Sequence, residues 1–114
     1  MAAIANLRID QGATFSTDVT VTGTDGSAFN LTGYTAAAKM AKGYASTRTR
    51  TALTTAIATD RTTGVITLSL TANQTNTLDA PARYVYDVEI TQTSDSTITR
   101  VIEGIITVSP SVTT

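Results

Sequence analysis

Apolar and polar residues alternate along several short stretches of the chain, most clearly in residues 13–23 and 64–70. The apolar positions of one parity are Phe15, Val19 and Val21 in the first stretch and Ile66, Leu68 and Leu70 in the second. Successive side chains of a strand point to opposite faces of its sheet, so a period of two marks a strand with one buried face. The alternation therefore predicts two strands that place these six residues in a core.

A third stretch, residues 34–42 (YTAAAKMAK), is rich in alanine, and an alanine-rich helix fits it locally. We interpret it as a strand because it is short and lies between Gly33 and Gly43. Its residues also alternate, with Met40 on one face and Lys39 on the other.

One short helix is expected between the strands. Thr71 and Gln74 match a capping box, in which a hydroxyl accepts a backbone N–H bond and a glutamine three residues later bonds back. This predicts one or two helical turns over residues 72–78, ended by residues 79–81 (DAP). Turn-forming residues at 23–27, 60–64 and 93–96 separate the predicted strands.

Residues 83–91 (RYVYDVEIT) combine two tyrosines with two carboxylates. On a strand, the apolar face consists of Tyr84, Tyr86, Val88 and Ile90. Asp87 and Glu89 leave the opposite face, which we expect to be in water. This strand is predicted to form a hairpin with a last strand over residues 97–108.

The loop length of this hairpin decides which residues face each other. A loop of Ser94, Asp95 and Ser96 pairs Tyr86 with Gly104, Asp87 with Glu103 and Glu89 with Val101. A two-residue loop would give Glu89 the favourable partner Arg100 but would move Glu103 into the core. Burial of each apolar side chain is worth about 1.5–3 kcal/mol, and an exposed ion pair only about 0–1 kcal/mol. The three-residue loop is therefore predicted.

About seven short strands with turns roughly every ten residues indicate an all-β protein. We predict a single domain over residues 1–114 with the immunoglobulin-like Greek-key β-sandwich fold, one short helical turn near 72–78, and extended N- and C-terminal segments. The cysteine–tryptophan–cysteine core of antibody domains is missing, so the core must depend on tyrosine, phenylalanine and aliphatic residues. A small barrel is the alternative fold.

The composition excludes several classes of function. Cysteine and histidine are absent, which removes thiolate chemistry, the usual general base near neutral pH and the commonest metal ligand. Only 15% of the residues are charged and the net charge is -1, which does not suit a nucleic-acid-binding protein. Of the 114 residues 26 are threonine, a β-branched residue that favours strands and, here, a weakly charged surface suited to packing against other subunits.

The carboxylates are the first candidates for chemistry. Asp87 and Glu89 are neighbours on an open strand face, whereas a glycosidase pair flanks a cleft in which one acid is desolvated. Together with Glu103 they offer oxygen ligands to a hard divalent cation, but no calcium-loop pattern accompanies them. We therefore predict no enzymatic activity, no catalytic residues, no metal and no cofactor.

The basic residues are concentrated between positions 39 and 61. The residues proposed as an interaction surface are Lys39, Lys42, Tyr44, Arg48, Arg50 and Arg61, with Asp87, Glu89 and Glu103 as an acidic stripe. The basic stretch is interpreted as a solvated hairpin tip, and the alternative is a patch that meets an acidic partner. Tyr44 in residues 42–50 is the tyrosine to test for carbohydrate binding.

The order of motifs along the chain resembles a known family. The motifs are residues 10–12 (DQG), 24–26 (TDG), 30–34 (NLTGY), 64–70 (GVITLSL), 83–89 (RYVYDVE), 103–104 (EG) and 108–113 (VSPSVT). This order is similar to small immunoglobulin-like virion proteins of tailed bacteriophages, and to the immunoglobulin-like N-terminal domain of some phage baseplate upper proteins. Each motif is short, and the resemblance spans nearly the whole chain.

The resemblance implies a non-enzymatic structural protein of a bacteriophage virion, either a capsid decoration subunit or a small tail, neck or baseplate component. The implied partners are other virion proteins, with a homo-oligomer or symmetric array, no nucleic acid and no membrane. Because no signal peptide is recognisable at residues 1–10, we expect synthesis in the host cytoplasm and location in the virion. The alternative is a β-sandwich module that binds carbohydrate or a host surface.

Overall fold

The computed structural model of the protein describes residues 3–23, 26–43 and 49–112. The strands are β1 (Ala3–Ile4), β2 (Leu7–Asp10), β3 (Phe15–Thr20), β4 (Tyr34–Ala41), β5 (Thr51–Ile57), β6 (Val65–Leu70), β7 (Ala82–Gln92) and β8 (Ile98–Ser109). A 3-10 turn covers Arg61–Thr63, and the helix α1 covers Ala72–Asn76. The prediction of an all-β protein with one short helix is confirmed. In the described part of the chain no helix is long and apolar enough to cross a membrane.

The strands form one curled sheet in the order β1-β8-β7-β4-β5-β6-β3, and β2 follows β1 along β8. Both β1 and β2 pair with β8 in parallel, and the other pairs are antiparallel. The curl arises in β5, whose residues 51–53 pair with β4 while residues 54–57 pair with β6. Where β4 and β5 diverge, the Thr55 hydroxyl donates to the Ala36 carbonyl at 3.0 Å. The sheet stays open in the described residues, because β2 and β3 at its two ends do not pair with each other.

Both halves of the curled sheet face a single core. The residues expected to be buried from the alternation, Phe15, Val19, Val21, Ile66, Leu68 and Leu70, all lie in it. The alanine-rich stretch is strand β4, with Met40 buried and Lys39 exposed as predicted. Ile9 of the N-terminal segment is fully buried as well, which the alternation did not indicate.

Helix α1 begins as the capping box predicts. The Thr71 hydroxyl accepts from the Gln74 N–H at 3.2 Å, and the Gln74 side chain accepts from the Thr71 N–H at 2.8 Å. Thr75 is fully buried, and its hydroxyl accepts from the Gly12 N–H at 3.1 Å and donates to the Ala13 carbonyl at 2.8 Å. The helix is therefore tied to the loop between β2 and β3.

The β7–β8 hairpin combines the two registers that the sequence left in competition. Up to Val88 the strands pair as predicted, with Tyr86 opposite Gly104 and Asp87 opposite Glu103. A β-bulge follows, so that Glu89 lies opposite Arg100, and the predicted pairing of Glu89 with Val101 is wrong. The bulge leaves one extra residue in β8. The core half of the hairpin thereby keeps the register that buries its apolar side chains, while the loop half takes the register that pairs opposite charges.

The predicted three-residue loop is also wrong. The Gln92 N–H donates to the Thr97 carbonyl at 2.9 Å, which leaves residues 93–96 as a four-residue loop. Ser96 has a φ of 62°, and the Asp95 carboxylate accepts from the Thr97 N–H at 3.0 Å. The bulge accounts for the difference, because it shifts the end of the hairpin by one residue.

Gly104 makes room for the N-terminal segment. A Cβ atom at this position would overlap the Ala5 carbonyl oxygen. That oxygen accepts a hydrogen bond from the Tyr86 hydroxyl at 2.5 Å, and the Ile105 N–H donates to the Asn6 side chain at 3.1 Å. The segment that joins β1 to β2 is thus held to β8 and to β7 at one point.

We expect Gly104→Ala to lower the free energy of unfolding by about 1–3 kcal/mol, the usual cost of overpacking, because the added methyl group meets backbone rather than a flexible side chain. Thr107→Ala, at an exposed position of the same strand, is the matched control and should change it by less than about 0.5 kcal/mol. Urea unfolding measures both values, and equal effects of the two substitutions would contradict the close approach of Ala5.

Tyr86 should make stability fall at high pH. Burial raises its pKa to about 12 from the ordinary value of 10.0. The folded state therefore holds this proton where the unfolded state releases it, and the stabilisation is present below pH 10 and lost as pH rises towards 12. Tyr86→Phe should remove this part of the pH dependence and cost about 1–3 kcal/mol at neutral pH, because the Ala5 carbonyl loses its donor. Tyr84→Phe is the control, and because it keeps Tyr86 it should retain the loss of stability at high pH. Urea unfolding curves over a series of pH values measure both variants.

Candidate interaction surface

The outer face of β4, β7 and β8 brings together most of the charged residues singled out in the sequence. Lys39 of β4 lies opposite Asp87 of β7, which in turn lies opposite Glu103 of β8. In the neighbouring row, Glu89 lies between Ala37 and Arg100. The side chains of Lys39, Asp87, Glu89 and Glu103 project away from the core, as strand parity requires. Arg100 has the parity of the buried Ile102, and the bulge after Val88 turns it to the same outer face.

Arg100 neutralises the acidic part of this face. Its Nε atom lies 3.3 Å from a carboxylate oxygen of Asp87, and one of its terminal nitrogens lies 3.7 Å from Glu103. Asp87 and Glu103 face each other directly on neighbouring strands, an arrangement that is unfavourable for like charges. The guanidinium compensates for this repulsion. Sequence reasoning considered the pairing of Glu89 with Arg100 but rejected it, and it missed that Arg100 forms ion pairs with Asp87 and Glu103.

A shallow groove of about 350 Å³ runs over the same face. Its floor contains Ala37, Ala41 and Val85, and charged side chains including Lys39 and Arg50 border it. The groove is open, and the Asp87 side chain at its border is 34% exposed and paired with Arg100. A carboxylate in this setting lacks the desolvation that a general acid requires.

In the described part of the chain, Lys42, Arg50 and Arg61 each contact a different part of the fold. Lys42 forms an ion pair with Asp79 beyond helix α1. Arg61 donates to the backbone carbonyls of Leu31 and Tyr34 at 3.2 and 2.8 Å, which holds the turn before β4 in place. Arg50 donates to the Gly43 carbonyl at 3.1 Å. Tyr44 and Arg48 lie outside the described residues.

Two other carboxylates are used in turns. Asp60 accepts from the hydroxyl and the backbone N–H of Thr62, and these hydrogen bonds lower its pKa from the ordinary value. Hydrogen bonds from Thr97 lower the pKa of Asp95 in the same way. Within the described ranges, no group of three or more acidic side chains is arranged to hold a metal ion.

The tyrosines of β7 are buried, as the strand parity predicted. Tyr86 bonds Ala5, and the Tyr84 hydroxyl accepts from the Asp79 N–H at 2.9 Å. Tyr34 is half-buried and packs edge-on against Phe29, with ring centroids 5.4 Å apart. All three tyrosine side chains therefore make hydrogen bonds or ring contacts within the fold.

Exposed apolar side chains were missed by the sequence analysis. They are Ile4, Ile98, Ile105 and Val112. Ile4 lies opposite Glu103 and Ile105 opposite Val85, so both belong to the outer face. Strand alternation could have indicated that Ile105 is exposed, because its neighbour Ile106 belongs to the buried face.

Comparison with known proteins adds no assignment. No protein-family model matches the chain, and no curated protein is significantly similar to it.

Removal of the Arg100 guanidinium should lower stability by a small amount that depends on the salt concentration. We expect Arg100→Ala to lower the free energy of unfolding by up to about 1 kcal/mol at low ionic strength, because Asp87 and Glu103 then repel each other at an exposed site. The loss should shrink at high salt, where exposed charges are screened. Urea unfolding at two salt concentrations measures it. Arg83→Ala, at an exposed position of β7, should show neither effect, and a loss independent of salt would contradict the electrostatic role.

Proposed function

We propose that this chain is a non-enzymatic structural protein of a bacteriophage virion, with an immunoglobulin-like Greek-key fold, and that it assembles with other virion proteins through its strand edges and terminal segments. The observation that carries the proposal is the pair of open edges at the ends of the curled sheet. In the described residues no strand pairs with the free side of β3 or of β2. Such edges present unpaired N–H and carbonyl groups to another chain.

The composition of the β3 edge supports assembly rather than isolation. Soluble monomers protect edge strands with lysine, proline or bulges. Strand β3 (FSTDVT) has six residues, no lysine, no proline and one charge, and its pairing with β6 runs without a register shift. A polar, nearly neutral edge of this kind is suited to a defined contact in an ordered particle.

Two features support the immunoglobulin-like fold. The first is the strand order, in which β3 and β4 are consecutive in sequence but separated in the sheet by β5 and β6. The second is the contact of Tyr84, which lies near the start of β7 and accepts from the backbone N–H of Asp79, five residues upstream. A tyrosine at this corner, bonded to the backbone just before its own strand, is a hallmark of immunoglobulin-type sandwiches.

The charged face supports a role without catalysis. Its carboxylates are partly exposed, and Arg100 binds Asp87 and Glu103. Its groove is shallow and bordered by charges of both signs. These properties fit a contact surface, since a catalytic pair needs acids whose environments differ strongly.

The proposal predicts that the chain is a constituent of purified particles. Gradient-purified virions from a lysate that contains the chain should hold it at a constant ratio to the major capsid protein, measured by quantitative mass spectrometry across the gradient fractions. A soluble host protein of similar mass is the control and should be lost. Finding the chain only in the free protein fraction would contradict the virion role. Separation of heads from tails would then assign its location.

A further inference from the structure

We infer that two copies of this chain pair edge to edge about a two-fold axis, with β2 of each copy adding to β3 of the other. The pairing rests on the proposed assembly role, since it specifies which edges meet and identifies a second copy as the partner. Three observations lead to it: the position of the two free edges, their strand directions, and the charges and apolar side chains along them.

Both free edges lie on the same side of the molecule. One groove of about 230 Å³ is lined by residues of β2, by the connecting loop and by the first half of β3. Leu7 and Phe15, which point towards the core, both contribute to this groove. A second copy that approaches this side therefore meets β2 and β3 together.

The directions of the two strands suit a two-fold pair. Strand β2 is parallel to β8, and five successive antiparallel pairs lead from β8 to β3. Strands β2 and β3 therefore run in opposite directions. A two-fold axis along the strands leaves each direction unchanged and exchanges the two halves of the curled sheet. It places β2 of one copy antiparallel to β3 of the other, twice in each dimer, which is an isologous interface.

Charge selects the register. Arg8 and Asp18 are exposed and lie on the outward face of β2 and β3. Within the chain, Arg8 forms an ion pair with Asp10, with Nε and Oδ1 3.6 Å apart, and Asp18 accepts from the Thr67 hydroxyl at 2.7 Å. Both side chains stay exposed, so pairing Arg8 with Asp18 of the second copy adds an opposite charge across the strands. A shift by two residues in one direction would pair Asp10 with Asp18, which repels. A shift by one residue would place the inward side chains of one strand next to the outward, solvent-facing side chains of the other.

The same register continues the apolar face across the dimer. It places Leu7 opposite Val19 and Ile9 opposite Thr17 of the second copy. Leu7 is only half-buried in the single chain, although it points to the same side as the fully buried Ile9. Strand β3 of the second copy would cover the Leu7 side chain. This burial of apolar surface would stabilise the dimer more than an exposed ion pair does on its own.

Cross-linking between copies tests the pairing directly, because the chain has no cysteine of its own. Opposed residues of antiparallel strands have Cα atoms roughly 4.5–5.5 Å apart, within the range of a disulfide. We expect an equimolar mixture of purified R8C and D18C proteins to form a disulfide-linked heterodimer on mild oxidation, in excess of either homodimer on a non-reducing gel. The mixture of R83C with D18C is the matched control and should form no disulfide-linked heterodimer, because Arg83 lies on the outer face of β7, away from the contact.

Charge reversal gives an independent measurement of the same contact. By sedimentation equilibrium, R8D and D18R should each raise the dimer dissociation constant at least about tenfold, because each opposes two like charges at both contacts. The R8D/D18R double variant should restore it to near the starting value. Circular dichroism spectra and urea midpoints close to those of the unchanged protein verify that each variant is folded.

Each alternative outcome would overturn the pairing. A dominant D18C homodimer would indicate β3 paired with β3, and a dominant R8C homodimer β2 paired with β2. A monomer at every concentration, or a double variant that stays dissociated, would exclude the contact. These results are separate from the virion test: a monomeric protein found in particles refutes only the pairing, and a dimer absent from particles refutes only the virion role.

Discussion

The pairing of β7 with β8 is the constraint on which the rest of the structure depends. Its inward side chains form much of the core, its outward side chains form the charged face, and β8 carries both N-terminal strands. A single register could not satisfy both sides of this hairpin. The bulge after Val88 resolves the conflict, because without it Arg100 would lie opposite the buried Ile90 on the core side. With the bulge, Arg100 faces outward and forms ion pairs with Asp87 and Glu103. The larger energy of burial explains why the core half keeps the register that parity requires.

The N-terminal segment depends on the same hairpin through one close contact. Gly104 faces Tyr86 across the strands, which the sequence indicated, but its reason lies elsewhere. Without a side chain, Gly104 lets the Ala5 backbone approach β8, and the Tyr86 hydroxyl then bonds the Ala5 carbonyl. Gly104 therefore makes room for the backbone that joins β1 to β2. That contact joins residues 81 positions apart, so no local pattern could show it.

Local patterns in the sequence predicted the strands and the helix. The strand pairing and the bulge depend on contacts between distant residues, which local patterns do not show. Alternation identified the buried faces of β3, β4, β6 and β7, and the capping box located α1, because each depends on neighbouring residues only. The parallel docking of β2 and the bulge were not predictable in the same way. They depend on which distant strand supplies the hydrogen bonds. The basic stretch shows the same limit, since Arg61 bonds the turn before β4 and Lys42 pairs with Asp79, although both looked like free surface charges.

The free edges of β2 and β3, rather than the charged side chains of the outer face, have groups that lack partners within the described part of the chain. Asp60 and Asp95 cap turns, and Arg100 holds two carboxylates together, so these charges are already used within the chain. The backbone groups along the free sides of β2 and β3 have no strand partner in the described residues, and Leu7 beside them is incompletely covered. Unpaired backbone groups and partly exposed apolar side chains both favour contact with another chain. The surface most in need of a partner is therefore the pair of free strand edges rather than the charged outer face.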